Sequence, residues 1–386
     1  MVEEANIKYI LTIFDNIRAV NPKEIESLYY GLSSVRVIVP SGEGRSKGAL
    51  SIACSEIAKM NKGKIILDRS DIGFPGRDLY EAAPAIRNKY GPMSLLINSG
   101  SGKALIPLID AQKLGQYITE TGNIRDYRID VVTSDPESPI GKLGSRYGSV
   151  VNLKGQVTYE NFSEVKEFRE TGILTDIFEL GSLVLYQAIA EAMNKDASAD
   201  AIFSIIENIF KEIQEMLEDK NSIEFIKRIV DDLEKRSLCF MGGLGSGLEV
   251  ARMTAVRIGH IKRVLGDSVY VIRDVNLPVP RPGDIFIVIS YSGETEVVVG
   301  WCKNFKKMGG KVISVVGNKN SSIYSLSDYS YVINSPYVKG EPNRFYLKAA
   351  FLLSPLPLFL AERIEKRGLR LPDYILRWYH SIISII

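Results

Sequence analysis

Two pairs of motifs recur in this chain in the same order. The apolar stretches Ser94–Gly102 and Phe286–Thr295 both reach a pair of alternating serines followed by a glycine. The glycine-rich turns Ser41–Lys47 and Gly242–Gly247 each precede one of these stretches. The repeats lie about 190 and about 200 residues apart, which indicates one domain encoded twice.

Short apolar strands alternate with helices in both predicted units. Strands are expected at 35–40, 64–67, 94–98, 128–134 and 150–153 in the first unit, and at 237–241, 268–272, 286–290, 311–316 and 329–332 in the second. This alternation is typical of α/β proteins with parallel, doubly wound sheets. We place the first domain at 1–195 and the second at 196–386, with Lys195–Asp200 as the hinge.

The charges of the chain nearly cancel. With 48 Lys and Arg against 46 Asp and Glu the net charge is +2, which argues against a nucleic-acid partner. Cys54, Cys239 and Cys302 are widely spaced, as expected for buried thiols in a reducing compartment. The acidic start of the chain does not resemble a signal peptide. The apolar stretch Ala349–Ala361 is shorter than the ~20 residues that cross a bilayer, so we expect a cytoplasmic protein without a membrane partner.

The glycine-rich turns between strand and helix have two interpretations. Many α/β folds bind dinucleotides at such a turn. Neither Gly42-Glu-Gly44 nor Gly243-Leu-Gly245 is followed by the third glycine of that fingerprint. Each turn instead leads to a serine at the start of a helix, Ser46 or Ser246, which favours phosphate binding over dinucleotide binding and leaves simple helix capping as the alternative.

The hydroxyl residues that follow the two apolar stretches strengthen the phosphate interpretation. Ser99 and Ser101 follow the first, and Ser290, Ser292 and Thr295 follow the second. If its strand continues, the two serines of the second stretch face one side, and the threonine opens a helix whose N–H groups and dipole attract anions. In an open parallel sheet, these residues and the glycine turns lie beyond the carboxyl ends of neighbouring strands.

The motifs Gly-x-Gly-Arg-Ser at 42–46, Ser-x-Ser-Gly at 99–102 and Ser-x-Ser-Gly-Glu-Thr at 290–295 resemble those of sugar isomerase (SIS) domains. That family has flavodoxin-like, three-layer αβα domains that bind phosphosugars, and the tandem copy covers nearly the whole chain. Its two-domain members include the isomerase half of glucosamine-6-phosphate synthase, the archaeal phosphoglucose/phosphomannose isomerases, and a glucokinase regulator that binds sugar phosphates without turnover.

Three further segments, 172–179, 255–260 and 374–380, are similar to the single-domain 3-hexulose-6-phosphate isomerase. That enzyme interconverts a 3-hexulose 6-phosphate and fructose 6-phosphate through an enediol, which needs a base beside the carbonyl carbon and a second group at the oxygens. Structural roles are the alternative: the helix dipole favours an acidic residue at the start of a helix, and histidines also serve as capping or interface residues. The resemblance implies that the catalytic residues are the last residues of the three segments, Glu179, His260 and His380.

The resemblance also implies the residues that hold the substrate. The phosphate would be bound by seven hydroxyl residues, Ser46, Ser99, Ser101, Ser246, Ser290, Ser292 and Thr295. Other contacts would come from four glycines and an arginine, Gly44, Gly102, Gly245, Gly293 and Arg45. The arginine is expected to pair with the phosphate or with a carboxylate, or to lie on the solvated surface. Nothing in the sequence indicates a metal or an organic cofactor.

Both halves depart from the family pattern. In the first half Lys103 and Ala104 replace the Glu-Thr of the serine motif. In the second half Ser246 replaces the arginine of the glycine turn, and Tyr346 stands where a glutamate should follow Phe345. Either the halves divide binding and catalysis between them, or one site has been lost.

The sequence thus favours a phosphosugar isomerase that acts on a hexulose 6-phosphate/fructose 6-phosphate pair and assembles as a homodimer. A phosphosugar-binding regulator without turnover and an aldose–ketose phosphoglucose/phosphomannose isomerase are the alternatives, and aminosugar chemistry is a weaker one. Serine hydroxyls recognise only the phosphate. The sugar is therefore expected to be recognised by loops, for which 68–78 and 335–345 are the candidates.

Overall fold

The computed structural model describes residues 8–60, 62–155, 176–273 and 277–372. Within these ranges each predicted unit contains one five-stranded parallel sheet with helices around it. The His380 candidate lies outside the described residues, as does the segment 172–175 before Asp176.

The elements of the first half run as follows: α1 (Lys8–Arg18), α2 (Pro22–Ser34), β1 (Val37–Gly42), α3 (Gly44–Lys59), β2 (Ile65–Ile66), α4 (Leu79–Tyr90), β3 (Met93–Asn98), α5 (Leu105–Thr121), β4 (Tyr127–Thr133), α6 (Pro139–Tyr147), β5 (Gly148–Asn152) and α7 (Asp176–Asn194). The strands are ordered β2-β1-β3-β4-β5, and neighbouring strands are parallel.

The elements of the second half are α8 (Ala201–Glu218), α9 (Lys220–Leu233), β6 (Cys239–Gly242), α10 (Ser246–Lys262), β7 (Val269–Val271), β8 (Ile285–Ser290), α11 (Glu296–Lys307), β9 (Lys311–Val316), α12 (Ser322–Leu326), β10 (Tyr329–Val332), α13 (Phe345–Leu353) and α14 (Leu356–Lys366). A short 3-10 turn, Arg263–Leu265, follows α10.

The two sheets have the same topology. Read from β7, the second sheet is ordered β7-β6-β8-β9-β10, which repeats the order of the first. It is also the flavodoxin-like order of doubly wound sheets. The predicted α/β class with two parallel sheets is therefore confirmed, and the repeated motifs occupy corresponding places in both sheets.

The register brings the motifs of each half together. In the first sheet Gly42 of β1 pairs with Asn98 of β3, so the glycine turn and the serine loop leave the sheet side by side. In the second sheet Gly242 of β6 pairs with Val288 of β8. The prediction that both motifs lie beyond the carboxyl ends of neighbouring strands is confirmed.

Apolar residues fill both faces of each sheet. Along β1, Ile38 faces a central core that contains residues of both halves, whereas Val37 and Val39 face an outer core built with α4 and α5. This alternation is expected for a strand whose successive side chains point to opposite faces. Each sheet therefore has an outer core on one face and, on the other face, the central core that the two halves share.

Helices α3 and α10, which follow the two glycine turns, pack directly against each other. A Cβ atom at Gly48 of α3 would lie 2.7 Å from the Cγ of Met253 on α10, so the absence of a side chain permits the close approach. Helix α7 is buried along nearly its whole length, and most of its buried residues are apolar. The proposed domain boundary after residue 195 falls in the turn between α7 and α8.

The segment Phe345–Lys366 is long and apolar enough to cross a membrane, the only such helix in the described ranges. The apolar segment is therefore longer than Ala349–Ala361, because it comprises α13, α14 and the turn between them. Within the fold 78% of its most apolar window is buried, as in the core helix of a globular domain.

Candidate functional site

A cavity of about 240 Å³ lies at the carboxyl end of β8. Its lining combines the second serine loop, the 335–345 loop and one residue of the first half: Lys59, Leu244, Ile289, Ser290, Tyr291, Ser292, Thr295, Val298, Tyr337, Asn343 and Tyr346. Three of the predicted phosphate-binding hydroxyls therefore meet in one concave space.

The two serines of this loop act as acceptors for nearby backbone groups. Strand β8 ends at Ser290, whose Oγ accepts a hydrogen bond from the N–H of Gly293 at 3.2 Å. The Oγ of Ser292 accepts from the N–H of Glu294 at 3.2 Å. The strand ends at Ser290, so the condition under which the two side chains would share one strand face is not met. Each hydroxyl keeps its own proton and can donate it to an anion.

The turn after the serines requires glycine. Gly293 has φ +66, and a Cβ atom there would lie 2.2 Å from the Oγ of Ser321. Gly102 in the first half has φ +61, and a Cβ atom there would lie 1.9 Å from the Oγ of Ser138. The two serine loops are therefore the same turn, and its backbone conformation strains any residue with a side chain. The other two predicted glycines also have positive φ, Gly44 at +53 and Gly245 at +54.

Helix α11 presents its N-terminus to the cavity. Thr295 is its N-cap residue, is exposed, and makes no side-chain capping bond within the described structure. The first N–H groups of a helix have no partner inside the helix, and they carry a partial positive charge. Together with Ser290 and Ser292, this end of α11 can hold an anion without a metal.

Lys59 reaches this cavity from α3 of the first half. Its Nζ lies 5.5 Å from the ring centre of Tyr346 and 2.5 Å from Oε1 of Glu56. Glu56 has no exposed surface, and its Oε2 accepts a hydrogen bond from the N–H of Asn343 at 2.7 Å. The first half therefore fixes a cation at the rim of a cavity built mainly by the second half.

Two tyrosines of the cavity, Tyr291 and Tyr346, are donors at neutral pH. Burial raises the pKa of Tyr346 and of Tyr291 above the ordinary value. Tyr291 donates its hydroxyl proton to the carbonyl of Ser335 at 2.9 Å, which fixes the ring beside the serine loop. The 335–345 loop contributes Tyr337 and Asn343 to the lining, and recognition of the sugar by this loop stays a prediction.

The predicted base of the first half is held in a buried ion-pair cluster. Nη2 of Arg45 lies 2.6 Å from Oδ1 of Asp176, and its Nε lies 2.7 Å from Oε2 of Glu179. Arg257 of α10 lies 3.6 Å from the same Asp176. All four side chains are buried, so the surface alternative for Arg45 is wrong and the carboxylate alternative is confirmed. Burial raises the pKa of Asp176, while the two guanidinium groups oppose that shift.

His260 lies on α10 at the position that Lys59 has on α3. Aligning Gly44 with Gly245 pairs these two residues without a gap, and it also pairs Glu56 with Arg257. His260 is half-buried, and burial together with two arginines, Arg257 first, lowers its pKa. Its imidazole is therefore neutral at pH 7 and can accept a proton.

The remaining hydroxyl candidates are Ser46, Ser99 and Ser101 in the first half and Ser246 in the second. Ser46 is half-buried in the first turn of α3. Ser246 begins α10, and its Oγ is buried without a hydrogen-bond partner in the described structure. Ser99 is buried, and Ser101 accepts from the N–H of Lys103 at 3.2 Å, as Ser292 does from Glu294. The described residues contain no group of three or more His, Cys, Asp or Glu that could hold a metal.

Sequence reasoning missed Lys59, Asp176 and Arg257 as members of these clusters. The signal for Lys59 was present, because it aligns with the histidine of the segment 255–260. The sequence does not reveal that α3 packs against α10, and this packing places the end of each helix next to the opposite half.

Comparisons with known proteins agree with this architecture. The model of the SIS domain family matches residues 233–348. The 3-hexulose-6-phosphate isomerase of Methylomonas aminofaciens is 30% identical over 175 residues, which are 44% of this chain and 90% of that protein. An uncharacterized HTH-type transcriptional regulator of Thermotoga maritima is 25% identical over 238 residues, or 59% of this chain and 82% of that protein.

A solved structure extends the likeness over both halves. The C-terminal domain of glucosamine-fructose-6-phosphate aminotransferase from Francisella tularensis has a TM-score of 0.57 at 14% identity, over 95% of this chain and 96% of that chain. At this identity the likeness shows the fold alone. The serine turns, the repeated sheet topology and the isomerase relative place the chain in a family: it belongs to the SIS domain proteins, with a tandem pair of SIS-like halves.

Proposed function

We propose that this chain binds a phosphorylated sugar in the cavity of its second half. The observation that carries the proposal is that Ser290, Ser292 and the N-terminus of α11 line one cavity. Hydroxyl and backbone donors that converge on a concave space suit a phosphate group, because charge-assisted hydrogen bonds are the stronger ones. Homodimer assembly stays a prediction, which light scattering of the purified chain would check.

The rest of the cavity suits a polyol. Tyr291, Tyr337 and Tyr346 supply rings and hydroxyls, and Asn343 adds an amide. Of the described residues that line the cavity, only Lys59 carries a charge, and it is a hydrogen-bond donor. A sugar presents hydroxyl and carbonyl oxygens that accept from such donors.

Binding without turnover is the function that this geometry supports best. Enediol chemistry requires a base beside the reacting carbon. The described lining of the cavity contains no carboxylate and no imidazole, and Tyr291 and Tyr346 keep their protons because burial raises their pKa values. Such a cavity would serve a protein that responds to a sugar phosphate, and the relative with a regulator's name is compatible with that role.

A second candidate is isomerisation of a hexulose 6-phosphate/fructose 6-phosphate pair in the first half. Glu179 and the neutral His260 favour it, as does the likeness to the Methylomonas isomerase. This reaction requires Glu179 to leave Arg45, its partner at 2.7 Å. An aldose–ketose reaction would use the same groups.

One experiment separates these functions. The purified protein is incubated with fructose 6-phosphate in deuterated water, the label is followed by NMR, and thermal unfolding is measured in parallel. We expect stabilisation by the sugar phosphate, loss of that stabilisation in Ser292→Ala, and no deuterium in the sugar. Deuterium at C3 with a new ketose would establish the hexulose isomerase, and deuterium at C1 or C2 with an aldose would establish the aldose–ketose reaction. Absence of any stabilisation would refute binding.

A further inference from the structure

The glycine turn of the first half carries a carboxylate, Glu43, that reaches the helix after the serine loop. Oε1 of Glu43 accepts a hydrogen bond from the backbone N–H of Ile106 at 2.7 Å. Ile106 is the second residue of α5, the helix that follows the serine loop. The end of α5 that corresponds to the anion-binding end of α11 is therefore already capped by an anionic group of the chain itself.

The second half differs at each of these positions. Alignment of the glycine turns pairs Glu43 with Leu244, and alignment of Gly102 with Gly293 pairs Ile106 with Val297. Leu244 lines the cavity beside Ser290 and Ser292 and brings no charge to it. The same position thus carries an apolar wall in one half and an internal anion in the other.

Two more differences weaken the first half as a phosphate site. Ala104 is the N-cap residue of α5 and lacks the hydroxyl that Thr295 places at the corresponding point. Pro107 is the third residue of α5 and has no N–H to donate. Fewer donors therefore remain at this helix end, and one of them is bound to Glu43.

We propose that Glu43 occupies the anion position of the first half, so that the chain binds one phosphorylated ligand rather than two. A phosphate entering this loop would have to displace the carboxylate from Ile106 and then lie close to its charge, and both steps oppose binding. The inference rests on the proposed function of the second half. It means that the two similar halves are specialised, and that the first half keeps its serine turn as structure.

Ligand counting tests the inference. Calorimetric titration with fructose 6-phosphate is expected to give one ligand per wild-type chain and none for Ser292→Ala. The double variant Glu43→Leu/Ala104→Thr copies the counterparts in the second half, and it is expected to bind two. Glu137→Leu is the matched control, because the Glu137 side chain is 84% exposed and the same charge is removed; it should bind one.

The outcomes distinguish the two claims. No binding to the wild type would refute the proposed function itself. Two ligands per wild-type chain, or one that persists in Ser292→Ala, would overturn the inference and leave phosphosugar binding intact. If the double variant does not fold, Glu43→Gln removes only the charge. A second, weaker ligand in this variant supports the inference, and an unchanged count of one overturns the role of Glu43.

Discussion

The buried carboxylate of Glu56 links the two halves through the backbone N–H of Asn343, at 2.7 Å. Its other oxygen holds the ammonium of Lys59 at the cavity of the second half. Sequence alignment pairs Lys59 with His260 and Glu56 with Arg257. Arg257 forms an ion pair with Asp176, and Asp176 aligns with Asn343. In each half the corresponding turn of α3 or α10 therefore contacts the other half, but the side chains on that turn differ.

Lys59→Met is expected to weaken binding of fructose 6-phosphate by about ten- to hundredfold while leaving binding of inorganic phosphate unchanged. The reason is that the ammonium contacts the sugar end of the ligand, and the loss of one hydrogen bond from a charged donor costs about 1.5–3 kcal/mol. Competition titrations with the two ligands measure the effect. Lys62→Met, a change of another partly exposed lysine nearby in sequence, is the control. Equal losses for both ligands would place Lys59 at the phosphate instead.

Glu56→Gln is expected to alter the pH dependence of stability. Burial raises the pKa of the Glu56 carboxyl above its ordinary value of 4.5. The folded protein then holds this proton more tightly than the unfolded chain, so the contribution of the group is full below about pH 4.5 and is lost as the pH rises through the folded pKa. Glutamine does not titrate. The free energy of unfolding of the wild type minus that of the variant should therefore fall as the pH rises from 4.5.

Urea unfolding at a series of pH values measures this difference. The glutamine can still accept from Asn343, so the contact between the halves is kept while the charge is removed. A difference that stays constant across the range, or rises with pH, would contradict the raised pKa.

The fold could be predicted from local patterns, whereas the site could be predicted only in part. The pattern of apolar strands that end in serines predicted the parallel sheets and the position of Ser290 and Ser292, because hydrophobic periodicity and turn-forming residues can be read over a few positions. Helix α6 was missed although Ser138-Pro139 is a capping signal that can be read from the sequence. Contacts such as that of Lys59 with the second half depend on helix packing between distant segments, which no local pattern encodes.

The same distinction explains Arg45. Its motif predicted a partner but left three possibilities open. The partners Asp176 and Glu179 come from α7, more than a hundred residues later in the chain, and only tertiary structure brings them within 2.7 Å of the guanidinium. A buried guanidinium between two carboxylates is then the arrangement that the desolvation cost of these charges requires.

Gly293→Ala is expected to destabilise the protein by about 1–3 kcal/mol, because it forces a side chain into a left-handed backbone and toward Ser321. The variant should also lose ligand binding, since the serine loop depends on this turn. Gly300→Ala is the matched control: Gly300 lies inside α11 with open space around it, and alanine there should stabilise the helix by about 0.5–1 kcal/mol. Chemical unfolding of both variants checks the pair, and equal effects would refute the steric argument.

Glu179→Gln is expected to lower stability by about 3–5 kcal/mol while leaving the affinity for fructose 6-phosphate within about twofold of the wild type. The stability loss follows because the buried guanidinium groups of Arg45 and Arg257 are then left with the single carboxylate of Asp176. The affinity is expected to persist because Glu179 does not line the cavity of the second half. Arg45→Met, which removes the other partner of the pair, should show the same combination of reduced stability and retained binding. A loss of affinity in both variants at a temperature where each remains folded would place the ligand in the first half, and it would require the cluster around Arg45 to open when the sugar binds.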